Sequence, residues 1–89
     1  MTKFVRNLEF EPNAIDDLSY WVKNDRRKAE KILDLVQEIA KNPFTGTGKP
    51  EPLKYNLSGC WSRRIDQEHR IVYFVGDEKI KILSCRFHY

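Results

Sequence analysis

One carboxylate, one imidazole and several cations lie in the C-terminal half of the chain, on segments that a sheet could bring together. Glu51 lies in a proline-rich loop, and His88 precedes the last residue. The cations are Lys49, Lys54, Arg63, Arg64, Arg70 and Arg86. A carboxylate among cations stays ionised and can accept a proton from a ribose 2′-hydroxyl. An imidazole can protonate a departing 5′-oxygen, and guanidinium groups stabilise the charge on phosphorus. The set therefore suits acid–base cleavage of a phosphodiester, although the residues alone leave open a solvent-facing loop carboxylate, a solvated terminal histidine and arginines that only protect an edge strand.

The sequence offers no recognisable metal site. Cys60 and Cys85 form no CxxC pair, and neither histidine stands at a ligand spacing from them. No acidic cluster suggests a divalent cation either. We therefore expect no metal and no cofactor. We expect both thiols to be reduced and buried, although the sequence leaves a disulfide between them open.

Length and charge limit the class of protein. Eighty-nine residues with 40% apolar side chains predict one folded domain, residues 1–89. The formal charge of +3 is too small to identify a nucleic-acid binder. The positive excess, however, falls between Gly46 and Tyr89, where it would attract a polyanion. No secretory or membrane-spanning segment is recognisable, so we expect a cytoplasmic protein without a membrane partner.

The N-terminal half predicts one strand and a helical hairpin. A strand is expected at Lys3–Glu11, and Pro12 suits the first turn of a helix. Asn24-Asp25 separates this helix from a second one, which ends at Asn42-Pro43. The apolar residues at helical spacing are Ile15, Leu18, Trp21 and Val22, then Ala29, Ile32, Leu33, Val36, Ile39 and Ala40.

The C-terminal half predicts a loop and three strands. Residues 43–53 hold three prolines and two glycines, which predicts a loop of largely fixed backbone. Strands are expected at 61–65, 70–75 and 80–87, joined by tight turns. We therefore predict an α+β domain with two N-terminal helices packed on one face of a small twisted antiparallel sheet.

The register of the last hairpin decides which candidate residues share a face. If Gly76 pairs with Ile80, Arg70 faces Arg86 and His88 follows on the same face. A slip of one residue would instead pair Arg70 with Cys85. We favour the first register, although the turn residues alone do not decide between them.

The run GTGKPEPLKYNLSGCWSRRIDQEHRIVYFV and the terminal CRFHY resemble the YoeB/Txe toxins of bacterial type II toxin–antitoxin modules, within the RelE superfamily. The resemblance rests on a GKPEPLK loop, an NLSG-x-WSRRI hairpin, an EHR-[IL]-VY strand and a terminal aromatic-His-Tyr, in that order. The N-terminal half matches more loosely, through the D-[DE]-x-x-Y-W pattern at residues 16–21.

The resemblance implies the RelE-like microbial ribonuclease fold and metal-independent, ribosome-dependent cleavage of mRNA in the A site. By the same resemblance, Glu51 is the general base, Arg70 stabilises the phosphate and His88 is the general acid. The positions implied to contact RNA, phosphate or the ribosome are Lys49, Lys54, Arg63, Arg64 and Tyr89.

The resemblance also implies several partners. These are a cognate antitoxin of the YefM/Axe type, the 70S ribosome with its mRNA, a second copy of the chain in a homodimer, and operator DNA through the antitoxin complex only. The residues leave another function open, a non-catalytic ribosome- or RNA-binding protein that blocks translation. In that case Glu51 and His88 would have no chemical role.

Overall fold

Two helices cover one face of a five-stranded sheet in the computed structural model of the chain, which confirms the predicted α+β class. The structure describes residues 5–54 and 57–88, without the side chains of Phe87 and His88. In chain order the elements are β1 (Asn7–Phe10), α1 (Pro12–Asn24), α2 (Arg26–Lys41), β2 (Glu51–Pro52), β3 (Cys60–Arg64), β4 (His69–Val75) and β5 (Lys79–His88). No helix of the described chain is long and apolar enough to cross a membrane.

The boundaries of the helical hairpin follow the predicted signals. Pro12 opens α1, where its missing N–H removes no helical hydrogen bond. Asp25 ends α1 and caps α2, because its side chain accepts a hydrogen bond from the Lys28 N–H at 3.4 Å. Asn42 caps the C-terminus of α2 and Pro43 follows it.

The buried faces of the helices differ in part from those expected. In α1, Ala14 and Trp21 are buried, whereas Ile15 and Val22 are about half exposed. In α2, Leu35 is buried and Leu33 is exposed. The reason is geometric, because a helix contacts a sheet through one narrow stripe and a neighbour one position along the chain is rotated by about 100°.

The sheet has the order β1-β5-β4-β3-β2. Strands β2 to β5 form an antiparallel meander, which was predicted for β3 to β5, but β1 pairs in parallel with β5. The expected loop at 43–53 also contains a strand, since Glu51 and Pro52 pair with β3 at the edge of the sheet. Proline is tolerated there because an edge strand can leave the position of one N–H unpaired.

The register favoured from sequence for the last hairpin is wrong. The Gly76 N–H donates to the Lys79 carbonyl at 2.9 Å, so the turn is tighter than expected and Val75 pairs with Ile80. Two irregularities then place one extra residue each in β5, so that Arg70 lies opposite Phe87 instead of Arg86. Bulges of this kind follow from local backbone geometry that turn residues do not encode.

The two faces of the sheet have different surroundings. The face toward the helices carries the main core, with Ile71, Tyr73 and Ile82 fully buried against them. The opposite face, called the open face here, has a small apolar cluster of Leu53, Cys60 and Val72, with Leu83 packed against it. The open face therefore has room for polar side chains beside this small apolar cluster.

Candidate active site

Glu51 and Arg70, two of the predicted catalytic residues, lie together on the open face. One guanidinium nitrogen of Arg70 (Nη2) is 3.6 Å from Glu51 Oε1. The other (Nη1) donates to the Ser62 hydroxyl at 2.9 Å. The Arg70 side chain is 10% exposed and that of Glu51 48% exposed. The structure thus combines a nearly buried cation with a carboxylate that solvent can reach.

Strand β3 brings these residues together. Glu51 in β2 pairs with Ser62, and Arg70 in β4 pairs with Arg64. Residues opposite each other in a sheet share a face, so all four belong to the open face. Glu51 and Arg70 are 19 positions apart in the chain, and only the register of three strands makes them neighbours.

Arg64 and Arg70 form a cross-strand pair of like charges. Directly opposite like charges destabilise a sheet. Arg70 has Glu51 beside it, whereas Arg64 is exposed and forms no ion pair with a carboxylate of the described residues. Two adjacent guanidinium groups beside the Glu51 carboxylate favour an anionic ligand such as a phosphate.

Lys49 and Arg64 line a groove of about 340 Å³ at the side of the open face. Lys31 of α2 adds a third cation to its lining. Asp66 is also part of the lining, but its carboxylate accepts hydrogen bonds from the N–H groups of Glu68 and His69 and pairs with Lys28. Lys54 is exposed and lies three positions after Glu51 in the chain.

Arg63 is not where sequence reasoning expected it. Its side chain is fully buried on the helix face of β3, so it cannot contact RNA in this conformation. Its guanidinium pairs with Glu38 Oε1 at 2.8 Å and donates to backbone carbonyls of the loop after α2. The expected RNA contact of Arg63 is therefore wrong. Consecutive residues of a strand point to opposite faces, which separates Arg63 from Arg64.

Two groups that contact the buried Arg63 have shifted pKa values. A hydrogen bond from the Thr47 N–H, together with the Arg63 guanidinium, lowers the pKa of Glu38 despite some burial. Burial raises the pKa of Tyr73, and its hydroxyl donates to the Pro43 carbonyl at 2.7 Å while accepting from Arg63 Nε at 3.2 Å. Neither Glu38 nor Ser62 was predicted from sequence. Ser62 belongs to the WSRR motif, but no sequence signal marks Glu38.

The predicted general acid, His88, is the last residue of β5, and β5 pairs with β4, the strand that contains Arg70. Its backbone pairs with His69. The His88 side chain and the whole of Tyr89 lie outside the described residues. Their predicted roles stay predictions.

Helix α1 holds the last described part of β5. The Trp21 indole N–H donates to the Cys85 carbonyl at 2.9 Å, and the Cys85 N–H donates to Asp17 at the same distance. The Arg86 guanidinium stacks over the Tyr20 ring, 3.6 Å from its centroid, and not opposite Arg70. These residues of α1 belong to the D-[DE]-x-x-Y-W pattern, whose contribution to the site was not predicted.

The cysteines are buried free thiols in the two separate clusters. Burial raises the pKa of Cys60, and burial with the nearby Asp17 carboxylate raises that of Cys85 to about 12. Within the described residues, no three His, Cys, Asp or Glu side chains form a group that could hold a metal ion.

Comparison with known proteins identifies the family of the chain. The model of the YoeB-like toxin family of bacterial type II toxin–antitoxin systems matches residues 10–89. A toxin YoeB of Escherichia coli is 54% identical over 74 residues, which cover 83% of this chain and 88% of the relative. A YoeB dimer from Staphylococcus aureus superposes with a TM-score of 0.86 at 48% identity, covering 94% of this chain and 98% of that one. A YoeB–YefM complex from the same organism gives a TM-score of 0.83 at 47% identity, with the same coverage. The chain described here is a member of the YoeB-like toxin family of bacterial type II toxin–antitoxin systems.

Proposed function

We propose that this protein is an endoribonuclease that cleaves mRNA in the A site of the 70S ribosome and thereby inhibits translation. The observation that carries the proposal is the Glu51–Arg70 pair on the open face, with a solvent-accessible carboxylate 3.6 Å from a nearly buried guanidinium. Chain membership in a toxin family adds to it. Hydrolysis by a metal-bound water is not part of the proposal, because the nucleophile comes from the RNA.

In the proposed reaction, Glu51 takes the proton of a ribose 2′-hydroxyl, and the 2′-oxygen attacks the neighbouring phosphorus. Arg70 stabilises the additional negative charge on the phosphate oxygens as the pentacoordinate state forms. His88 gives a proton to the 5′-oxygen as the P–O5′ bond breaks. The products are a 2′,3′-cyclic phosphate and a 5′-hydroxyl, so all atoms and protons are accounted for without a cofactor.

The RNA backbone is proposed to run from this pair into the neighbouring groove. Arg64 lies opposite Arg70 and also lines the groove, so the same cation borders both. Lys49 and Lys31 extend the positive charge away from the pair. Lys54, exposed three positions after Glu51, is proposed to contact the same RNA backbone. Tyr89 is proposed to contact the RNA next to His88. Contacts with phosphates set position and affinity without reading bases.

The partners proposed for this chain follow those named for its relatives. One related structure is a YoeB–YefM complex and another a YoeB dimer. We propose that a YefM-like antitoxin neutralises this chain by covering the open face, where an acidic segment would meet Arg64 and Arg70. A homodimer and antitoxin-mediated binding to operator DNA are part of the same proposal.

The test is a cleavage assay on mRNA held in programmed ribosomes, with wild type beside Glu51→Gln and His88→Ala. We expect wild type to cut within the A-site codon and to leave a cyclic or 3′-phosphate. Each variant should be slower by about 10²- to 10⁴-fold. Translation arrest on intact mRNA, equal in all three proteins, would refute the nuclease and establish the non-catalytic inhibitor.

A further inference from the structure

We propose that Arg63 and Glu38 are positioning residues, which hold the loop 42–48 in the shape that presents Glu51 to Arg70. The inference rests on the proposed function, since it gives Arg63 and Glu38 a part in positioning the proposed general base, Glu51. Neither residue touches the Glu51–Arg70 pair. They act through the loop that precedes Glu51.

The first observation is that one guanidinium organises this loop. Arg63 Nη2 donates to the carbonyls of Asn42 and Thr45, the latter at 2.8 Å. Its Nη1 donates to the Thr47 carbonyl at 3.2 Å. Residues 42–48 form no helix or strand, so their carbonyls lack the hydrogen bonds of regular secondary structure. The Arg63 guanidinium, with five donors in a fixed plane, supplies hydrogen bonds to three of these carbonyls instead.

The second observation is that the guanidinium is itself held from two sides. Glu38 Oε1 of α2 accepts from Arg63 at 2.8 Å and also from the Thr47 N–H at 2.5 Å. The Tyr73 hydroxyl of β4 accepts from Arg63 and donates to the Pro43 carbonyl. A helix, two strands and the loop therefore meet at one cation, and the geometry of each contact restrains the others.

The third observation is that little backbone freedom separates the anchor from Glu51. The Gly48 carbonyl accepts from the Arg64 N–H at 2.7 Å, which joins the end of the loop to β3. Lys49 and Pro50 follow, and Pro50 has a fixed φ. Glu51 then enters the sheet opposite Ser62. A displacement of the loop would consequently reach the Glu51 carboxylate.

The close contact at Gly46 offers an independent way to disturb the anchor. Gly46 has a φ of +128°, and a Cβ there would lie 2.0 Å from Glu38 Oε1 and 3.0 Å from Arg63 Nη1. Gly46→Ala should therefore displace the Glu38–Arg63 pair without removing either residue, and it also strains the loop backbone because alanine rarely adopts this φ. Glu30→Gln is a matched control, because Glu30 is an exposed acid of the same helix without an ion pair among the described residues.

The experiment compares ribosome-dependent cleavage by wild type, Glu38→Ala, Glu38→Gln, Gly46→Ala and the Glu30→Gln control, each shown to be folded by circular dichroism. A displacement near 1 Å costs an enzyme up to about 10²-fold in rate. We expect kcat to fall by about 10- to 100-fold in Glu38→Ala and Gly46→Ala, with KM for the ribosome complex changed by less than about threefold. Glu38→Gln, which keeps both accepted hydrogen bonds, should restore most of the rate. Full kcat in the folded Glu38→Ala and Gly46→Ala proteins would overturn the inference.

A double variant separates positioning from general loss of stability. If Glu38 acts through Glu51, then Glu38→Ala should slow wild type but not slow Glu51→Gln any further. Equal losses in both backgrounds would contradict positioning of Glu51. Hydrogen exchange of the Thr47 amide supplies a readout that needs no activity. If the Thr47 amide is equally protected in Glu38→Ala and in wild type, the anchor is overturned. If exchange is faster in Glu38→Ala but the wild-type protein does not cleave RNA, the anchor stands and only the proposed function is refuted.

Discussion

The Glu51→Gln substitution should separate chemistry from folding more sharply than any other change in this chain. Glutamine keeps the size of the side chain and can still accept a hydrogen bond from Arg70. It cannot serve as the base for a 2′-hydroxyl. We therefore expect a large loss of cleavage from a protein of nearly unchanged stability.

The two magnitudes follow from the exposure of the pair. The Glu51 side chain is 48% exposed and 3.6 Å from Arg70, so the ion pair is of the solvent-screened class. Pairs of this class contribute about 0.2–1 kcal/mol to the free energy of unfolding. Loss of a general base costs about 10²- to 10⁴-fold, which corresponds to about 2.7–5.4 kcal/mol in the activation barrier. The effect on catalysis should thus exceed the effect on folding several-fold.

Glu9→Gln is the matched control. Glu9 lies on the opposite edge strand, its side chain is also 48% exposed, and it pairs with Lys79 at 3.7 Å. Urea unfolding should give the two variants similar small changes in stability. Single-turnover cleavage of ribosome-bound mRNA should be slow in Glu51→Gln only. Comparable cleavage by both variants, or a Glu51→Gln protein destabilised in proportion to its lost activity, would refute the role of Glu51 as base.

Three further predictions concern strain, pH and the thiols. Lys49 has a left-handed φ of 53°, which costs a non-glycine residue about 1–2 kcal/mol, so Lys49→Gly should raise the unfolding free energy and Lys49→Ala should not. Since both variants remove the Lys49 charge, they should weaken RNA binding equally. Different RNA affinities of the two variants in a filter-binding assay would show that the lost charge is not the cause of the weaker binding. Burial opposes ionisation of Asp66, but hydrogen bonds from the N–H groups of His69 and Glu68 outweigh it and lower its pKa below 3.8. The ionised Asp66 therefore stabilises the fold above its usual pKa, and this stabilisation is lost as the pH falls through the lower pKa of the folded protein. Asp66→Asn should thus reduce the fall in unfolding free energy between pH 6 and pH 2. An equal fall in the variant and in wild type would contradict this role of Asp66. Since burial raises the pKa of Cys85 to about 12, this thiol should react with a disulfide reagent at pH 8 only as the protein unfolds in urea, and rapid labelling of the native protein would show that the strand is open.

Local sequence signals were enough for the two helices and for their boundaries. Pro12, Asp25 and Pro43 act through their own backbone or through hydrogen bonds to residues three positions away, so their effect does not depend on the rest of the fold. The motifs around Glu51 and Arg70 were equally informative, because their residue types carry the chemistry. The parallel pairing of β1 with β5 was missed, since a strand does not encode which edge it will join.

The separation of Arg63 from Arg64 shows most clearly what the sequence by itself determined. Two neighbouring arginines in one motif look equivalent, and the family resemblance implied a phosphate contact for Arg64 and an RNA or ribosome contact for Arg63. The alternation of strand side chains requires them to point to opposite faces, but the sequence does not say which face the helices cover. Only the tertiary structure decided that, by burying Arg63 against Glu38 and leaving Arg64 exposed beside Arg70. Likewise, the sequence determined that a carboxylate, a guanidinium and an imidazole are present. The register of β2, β3 and β4 decided that Glu51 meets Arg70, because that contact depends on backbone pairing between segments far apart in the chain.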